Sequence, residues 1–126
     1  MSLKTPLGQV RGLGSAKDGT NHWWMQRLTA LALVPLTLWL AVVAVSYSGA
    51  DYPAAVELVS NPAVTVTLLL LIGAMFYHAQ LGLQVVIEDY VHLEWLKLSA
   101  LIGVKFATIV AAVVAVMSVM RVSLGN

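Results

Sequence analysis

His78 lies within the thirty uncharged residues between Glu57 and Glu88, about nine residues from the Glu88 end. An ionisable, metal-ligating side chain in so apolar a stretch is a functional residue by default. On a helix turning about 100° per residue, Ala74 and Gly82 stand one turn either side of it. Val85 follows on the same face, and Asp89 falls only about 20° round the wheel. One stripe therefore carries a histidine, small side chains above and below it, and a carboxylate at its end. Small neighbours leave room for a flat, bulky group to approach the imidazole, and haem is the commonest such group in a membrane. The same spacing of small residues suits a close helix crossing. Three readings stay open on these residues: an axial ligand to haem iron, a histidine hydrogen-bonded across helices, and a proton relay.

Asp89-Tyr90 ends the stripe, with Glu88 before it and His92 after it. Such residues are either solvated caps at an interface or, with Arg27 expected at the same depth, half of a partly buried ion pair beside a phenol able to donate to a ligand carbonyl. Arg27 is then either a snorkelling anchor or the partner of an anion, a propionate or Asp89. His22 and His92 read as interface residues. Gln80 and Gln84 lie more than 100° from the His78 stripe and are expected to bond to a neighbouring helix or subunit. Trp39 needs an acceptor or a groove, and Met117 with Met120 reads as helix packing. No nucleophile triad, zinc-binding helix or phosphate loop can be assembled, and Gly12-Leu13-Gly14 lacks the third glycine of a dinucleotide loop. A single histidine leaves a six-coordinate haem incomplete, so a second subunit must supply the other ligand. Alone, the chain is not a complete enzyme.

The elements that must hold these residues follow from composition. Of 126 residues 60% are hydrophobic and 10% charged, with mean hydropathy +0.85, which excludes a water-soluble domain. A net charge of +1 offers no basic stripe for nucleic acid, and the absence of cysteine excludes thiolate metal sites, iron–sulfur ligation and disulfides. No charge occurs between Arg27 and Asp51, and Leu28 to Val45 would cross about 27 Å of bilayer. Ala63 to Ile87 would cover roughly 37 Å, more than a core of about 30 Å, so that helix is expected to tilt or emerge into headgroups. Leu98 to Met120 is a third run, whose one charge, Lys105, lies roughly 10 Å from its start and can snorkel. The fold class is thus an all-α integral membrane protein of three transmembrane helices, one part of a heteromeric bundle. Residues 1–22 are expected to form a flexible arm. Residues 23–126 form the membrane domain, with spans at about 28–47, 62–88 and 98–120.

Lys4, Arg11, Lys17, Arg27 and Lys97 fall on one side of these spans and Arg121 alone on the other, which puts the N-terminus in the cytoplasm. Trp23, Trp24 and Trp95 then share one interface, and Tyr47 and Tyr52 the other, as an aromatic belt requires. Asn61-Pro62 marks a helix start and Pro35 is expected to kink the first helix. The first residues lack the apolar core of a signal peptide and the arginine-rich amphipathic pattern of a transit peptide.

Taken together, these residues resemble the small hydrophobic membrane anchor subunit of succinate dehydrogenase, respiratory Complex II. The match rests on the run from His78 to Val91, with Gly82 one turn after the histidine and Asp89-Tyr90 closing it, and on Arg27 leading Leu28-Thr29-Ala30 into the first helix. The resemblance implies that His78 is one axial ligand of haem b, the other coming from the cytochrome b anchor subunit, and that Ala74 and Gly82 clear the porphyrin's path. It implies that Tyr90 hydrogen-bonds a ubiquinone carbonyl, that Asp89 helps orient or protonate the reduced quinone, and that Arg27 supplies positive charge near the haem propionates or the quinone pocket. The implied partners are the cytochrome b, iron–sulfur and flavoprotein subunits, in a bacterial cytoplasmic (inner) membrane rather than a mitochondrial one. A fumarate reductase anchor, another b-type quinone-linked subunit, and a haem-free structural or transport-associated helical protein are the rival readings.

Overall fold

The computed structural model describes residues 5–11 and 17–125, and among them the only regular structure is α-helix. The helices are α1 (Pro6–Val10), α2 (Lys17–Ser46), α3 (Tyr52–Ser60), α4 (Pro62–Tyr90) and α5 (Glu94–Ser123). Three of them are long and apolar enough to cross a membrane, over Gly19–Ser46, Pro62–Tyr90 and Glu94–Ser123. The three expected spans are therefore present. Each helix runs beyond its span, because hydropathy marks where a bilayer is crossed, whereas a helix continues until something breaks it. Residues 17–22, expected in the arm, thus belong to α2, and residues 94–97 to α5. At about 1.5 Å per residue, α4 reaches roughly 43 Å, well past a core of about 30 Å.

Local chemistry sets the breaks. Asp51 caps α3, its side chain accepting from the Ala54 N–H at 3.1 Å, with a proline in the first turn. α3 was not foreseen between the spans. Asn61 closes α3 and opens α4: its N–H donates to Leu58 O at 3.2 Å, while its side chain accepts from the Ala63 N–H at 3.0 Å and Pro62 takes the first helical position. α4 ends where Val91 turns extended, and the short link to Glu94 leaves α5 no choice but to run back alongside. α2 continues through Pro35 without a break.

α4 is the middle helix, packing on α2 along one side and α5 along the other, while the backbones of α2 and α5 do not come close among the described residues. The α4–α5 register is continuous: Thr65 Oγ1 meets Ser123 Oγ at 2.9 Å, and fifteen residues on along α4, fifteen back along α5, Gln80 Oε1 accepts from Thr108 Oγ1 at 3.4 Å. On the other side Thr29 meets His78, and three residues back along α2, four on along α4, Gln26 meets Gly82. Trp23, Trp24, Tyr90 and Trp95 therefore gather at one end of the layer and Tyr47 and Tyr52 at the other, all exposed.

Three helices in a row enclose very little. Leu71, Ile72 and Leu81 are the buried hydrophobic residues, all on α4, joined by buried Thr29 and Thr65. Leucine, valine and phenylalanine side chains such as Leu31, Val45 and Phe106 face outward. In water such a surface would be a severe aggregation hazard. In lipid, or against other membrane helices, it is the surface expected.

Candidate functional site

His78 stands in the middle of the α2–α4 contact. Its Nδ1 is 3.0 Å from Thr29 Oγ1, and Thr29 is 8% exposed. The threonine hydroxyl also lies 2.7 Å from Met25 O and 3.1 Å from Gln26 O, one turn back along its own helix. The other ring nitrogen, Nε2, has no partner among the described residues. It is also not one of the buried polar atoms left unbonded, which are His22 Nε2 and Gln26 Oε1. His78 thus offers one ring nitrogen to α2 and leaves the other open at the surface of the helix pair.

His22, Gln26 and Thr29 follow one another at helical spacing on α2 and make a polar seam, of which Thr29 and Gln26 meet His78 and Gly82 of α4. A Cβ at Gly82 would lie 3.7 Å from Gln26 Nε2, so at that position the missing side chain admits the neighbouring helix. Ala74 is half-buried on the other side of the histidine. Sequence reasoning placed His22 at the interface and gave Thr29 and Gln26 no site role. The signal was there: three polar residues sharing one face of an otherwise apolar helix. Gly82→Ala is expected to be tolerated, its Cβ making ordinary contact, whereas Gly82→Leu overfills the crossing and costs about 1–3 kcal/mol. Detergent-purified protein titrated with SDS reads the difference, and equal midpoints for the two variants would remove the crossing as the reason for the glycine.

Of the two readings of Arg27, the pairing with Asp89 is not formed within the chain. Arg27 points from α2 on a face about 200° from Thr29, and its guanidinium lies 5.4 Å over the Trp23 ring, which in turn meets Trp24 edge-on at 5.2 Å. Asp89 and Arg27 form no ion pair. The helix register explains why: with Gln26 opposite Gly82, Arg27 stands beside residues 80–81, about 12 Å along the axis from Asp89. Within the chain, then, Arg27 joins neither His78 nor Asp89.

Asp89 and Tyr90 close α4, both exposed, and Tyr90 at 78% is among the most open aromatic side chains described. Neither side chain has a hydrogen-bond partner among the described residues, so both are presented outward. Glu88 is engaged instead, accepting from Gln84 Nε2 at 2.9 Å within the same helix. Gln80 does reach the neighbouring helix, through Thr108. Lys105 shares a groove of about 210 Å³ with these two glutamines, between α4 and α5. No group of three or more His, Cys, Asp or Glu side chains able to hold a metal ion occurs among the described residues.

Residues 1–120 match the succinate dehydrogenase/fumarate reductase transmembrane subunit family. The chain is 39% identical over 117 residues to the succinate dehydrogenase hydrophobic membrane anchor subunit of Rickettsia bellii (strain RML369-C), an alignment covering 90% of this chain and 94% of that one. It is 32% identical over 136 residues to the subunit of the same name from Paracoccus denitrificans, covering 99% and 96%. With the succinate dehydrogenase membrane anchor subunit of Reclinomonas americana it shares 32% identity over 81 residues, 62% of this chain and 68% of that one.

Proposed function

Because this chain belongs to the succinate dehydrogenase/fumarate reductase transmembrane subunit family, we propose that it is the hydrophobic anchor of a succinate dehydrogenase and that it helps to hold haem b and to build the ubiquinone-reduction site. The observation that carries the haem half of this reading is the division of labour at His78, with Nδ1 bonded to Thr29 and Nε2 left open. A metal-ligating histidine characteristically spends one ring nitrogen on a hydrogen bond and keeps the other for the metal. His78 would hold the iron from this chain, and a cytochrome b anchor subunit would supply the other ligand. When bound, haem supplies a one-electron acceptor and donor within the membrane. Ala74 flanks the histidine on the side away from Gly82 and keeps that approach low. Arg27, on the outer face of α2, offers positive charge to a partner-side anion such as a propionate.

Tyr90 and Asp89 supply the quinone half. A phenol that is unpartnered at a helix end is free to donate to a quinone carbonyl, and a neighbouring carboxylate can orient the ring or pass on one of the two protons that accompany two electrons into ubiquinone. The open three-helix layer supports a second membrane subunit, since α2 and α5 enclose nothing between them and leave most apolar side chains uncovered. The flavoprotein and iron–sulfur subunits would dock at the end bearing Tyr90. The concentration of Lys and Arg there supports a cytoplasmic position for that end in a bacterial inner membrane.

The complex isolated through a tag on this chain, in detergent, is expected to contain flavoprotein, iron–sulfur and cytochrome b subunits and to give a low-spin b-type reduced-minus-oxidised spectrum. A preparation with neither haem nor those partners would return His78 to a packing role and end the proposal.

A further inference from the structure

We infer that Thr29 is a positioning residue for His78: its buried hydroxyl fixes the imidazole as the Nδ1–H tautomer, turns the Nε2 lone pair outward, and tunes the strength of that nitrogen as an iron ligand. The inference rests on the haem reading proposed above and deepens it.

A threonine hydroxyl has one hydrogen to donate and lone pairs with which to accept. Thr29 Oγ1 lies within hydrogen-bond distance of three atoms: Met25 O at 2.7 Å, Gln26 O at 3.1 Å and His78 Nδ1 at 3.0 Å. The two carbonyl oxygens can only accept, and the closer of them makes the shortest of the three contacts. The hydroxyl hydrogen is therefore committed back along α2, as buried threonines on helices commonly do. What Thr29 then presents to His78 is an oxygen lone pair, and the 3.0 Å contact is a hydrogen bond only if Nδ1 carries the proton. A neutral imidazole has one N–H, so Nε2 is left as the lone-pair nitrogen, the form that binds metal. Because Thr29 is itself held through two backbone carbonyls and is almost fully buried, the acceptor is rigid, and the ring is held in one orientation as well as one tautomer.

Bonding of the remote N–H raises the basicity of the ligating nitrogen, and loss of such an outer partner typically lowers metal affinity 10- to 100-fold. The stronger donor favours ferric over ferrous iron, so removing the acceptor should raise the reduction potential. Each tenfold change in the relative affinity for the two oxidation states corresponds to 59 mV for a one-electron couple.

The test uses the whole complex carrying Thr29→Val, which keeps the shape and deletes the acceptor, beside Thr29→Ser, which restores it. Haem retained after washing, the g-values of the oxidised haem and its midpoint potential are read against the parent. The expected result is at least tenfold weaker haem retention and a raised potential in the valine variant, with both returned towards parent values by serine. Thr29→Cys, which replaces the hydroxyl with the weak acceptor of a thiol, gives the same comparison, read against Thr29→Ser, where the valine complex does not assemble. Parent-like retention, g-values and potential in the valine or cysteine variant would overturn the role of Thr29 while leaving His78 as a ligand. Undiminished haem in His78→Ala would instead remove the haem reading, and this inference with it.

Discussion

His78→Ala is expected to strip the purified complex of its b-type absorption while the chain still inserts in the membrane. The two effects separate because the residue's roles differ in weight. As a ligand, the imidazole would be one of two strong bonds on the iron, and alanine has no atom to replace it. As a packing element, it makes one hydrogen bond, to Thr29, in a contact whose buried apolar residues are Leu71, Ile72 and Leu81. Losing that bond and opening a partial cavity costs on the order of 1–3 kcal/mol. Insertion of three long apolar helices withstands such a loss, whereas a haem held through His78 would lose its ligand from this chain. The measurement is the reduced-minus-oxidised spectrum scaled to flavin in the same preparation, where haem per flavin should fall by well over tenfold. A ratio equal to the parent's would show that His78 is not an axial ligand and would leave its bond to Thr29 as its whole role.

The sequence makes the spans legible for the same reason it makes His78 conspicuous: burying a charge in hydrocarbon is expensive, so uncharged runs mark crossings and a lone ionisable residue within one stands out. Asn61-Pro62 was equally readable, since its cap chemistry is local. Asp51 followed by Pro53 is a helix start of the same kind, so α3 could have been found from its own cap. What was not legible depends on helix register. That Arg27 stands beside residues 80–81 rather than beside Asp89 follows from how α2 slides along α4, a property of neither helix alone. Gln84 shows the same limit from the other direction, bonding Glu88 on its own helix where a bond to a neighbouring helix or subunit was expected. Thr29 lies between these cases. Its polar stripe with His22 and Gln26 is periodic and visible, but its meeting with His78 depends on the crossing.

Tyr90→Phe is expected to slow succinate-driven ubiquinone reduction by roughly 10- to 100-fold, with haem content and assembly unchanged. The structural side is simple, because the Tyr90 hydroxyl bonds to nothing among the described residues and the ring is 78% exposed at the end of α4. Deleting one oxygen there costs this chain no internal contact. Its value lies in the negative charge that grows on a quinone oxygen as electrons arrive. A donor placed to meet developing charge in an excluded-water site is worth about 10²–10³ in rate, and one in a partly wet interfacial site correspondingly less. A bond made equally to quinone and to its reduced forms would raise KM alone. One that strengthens with the charge lowers kcat, and the second pattern is expected. Asp89→Asn, which keeps the shape but cannot carry a proton, should also lower kcat and should add little to Tyr90→Phe if the two act as a unit. The control is succinate oxidation with a soluble dye that takes electrons ahead of the quinone, and both variants should leave it at the parent rate. Equal losses with dye and quinone would place the defect in assembly or in the soluble subunits. Unaltered quinone turnover in Tyr90→Phe would remove the phenol from the site altogether.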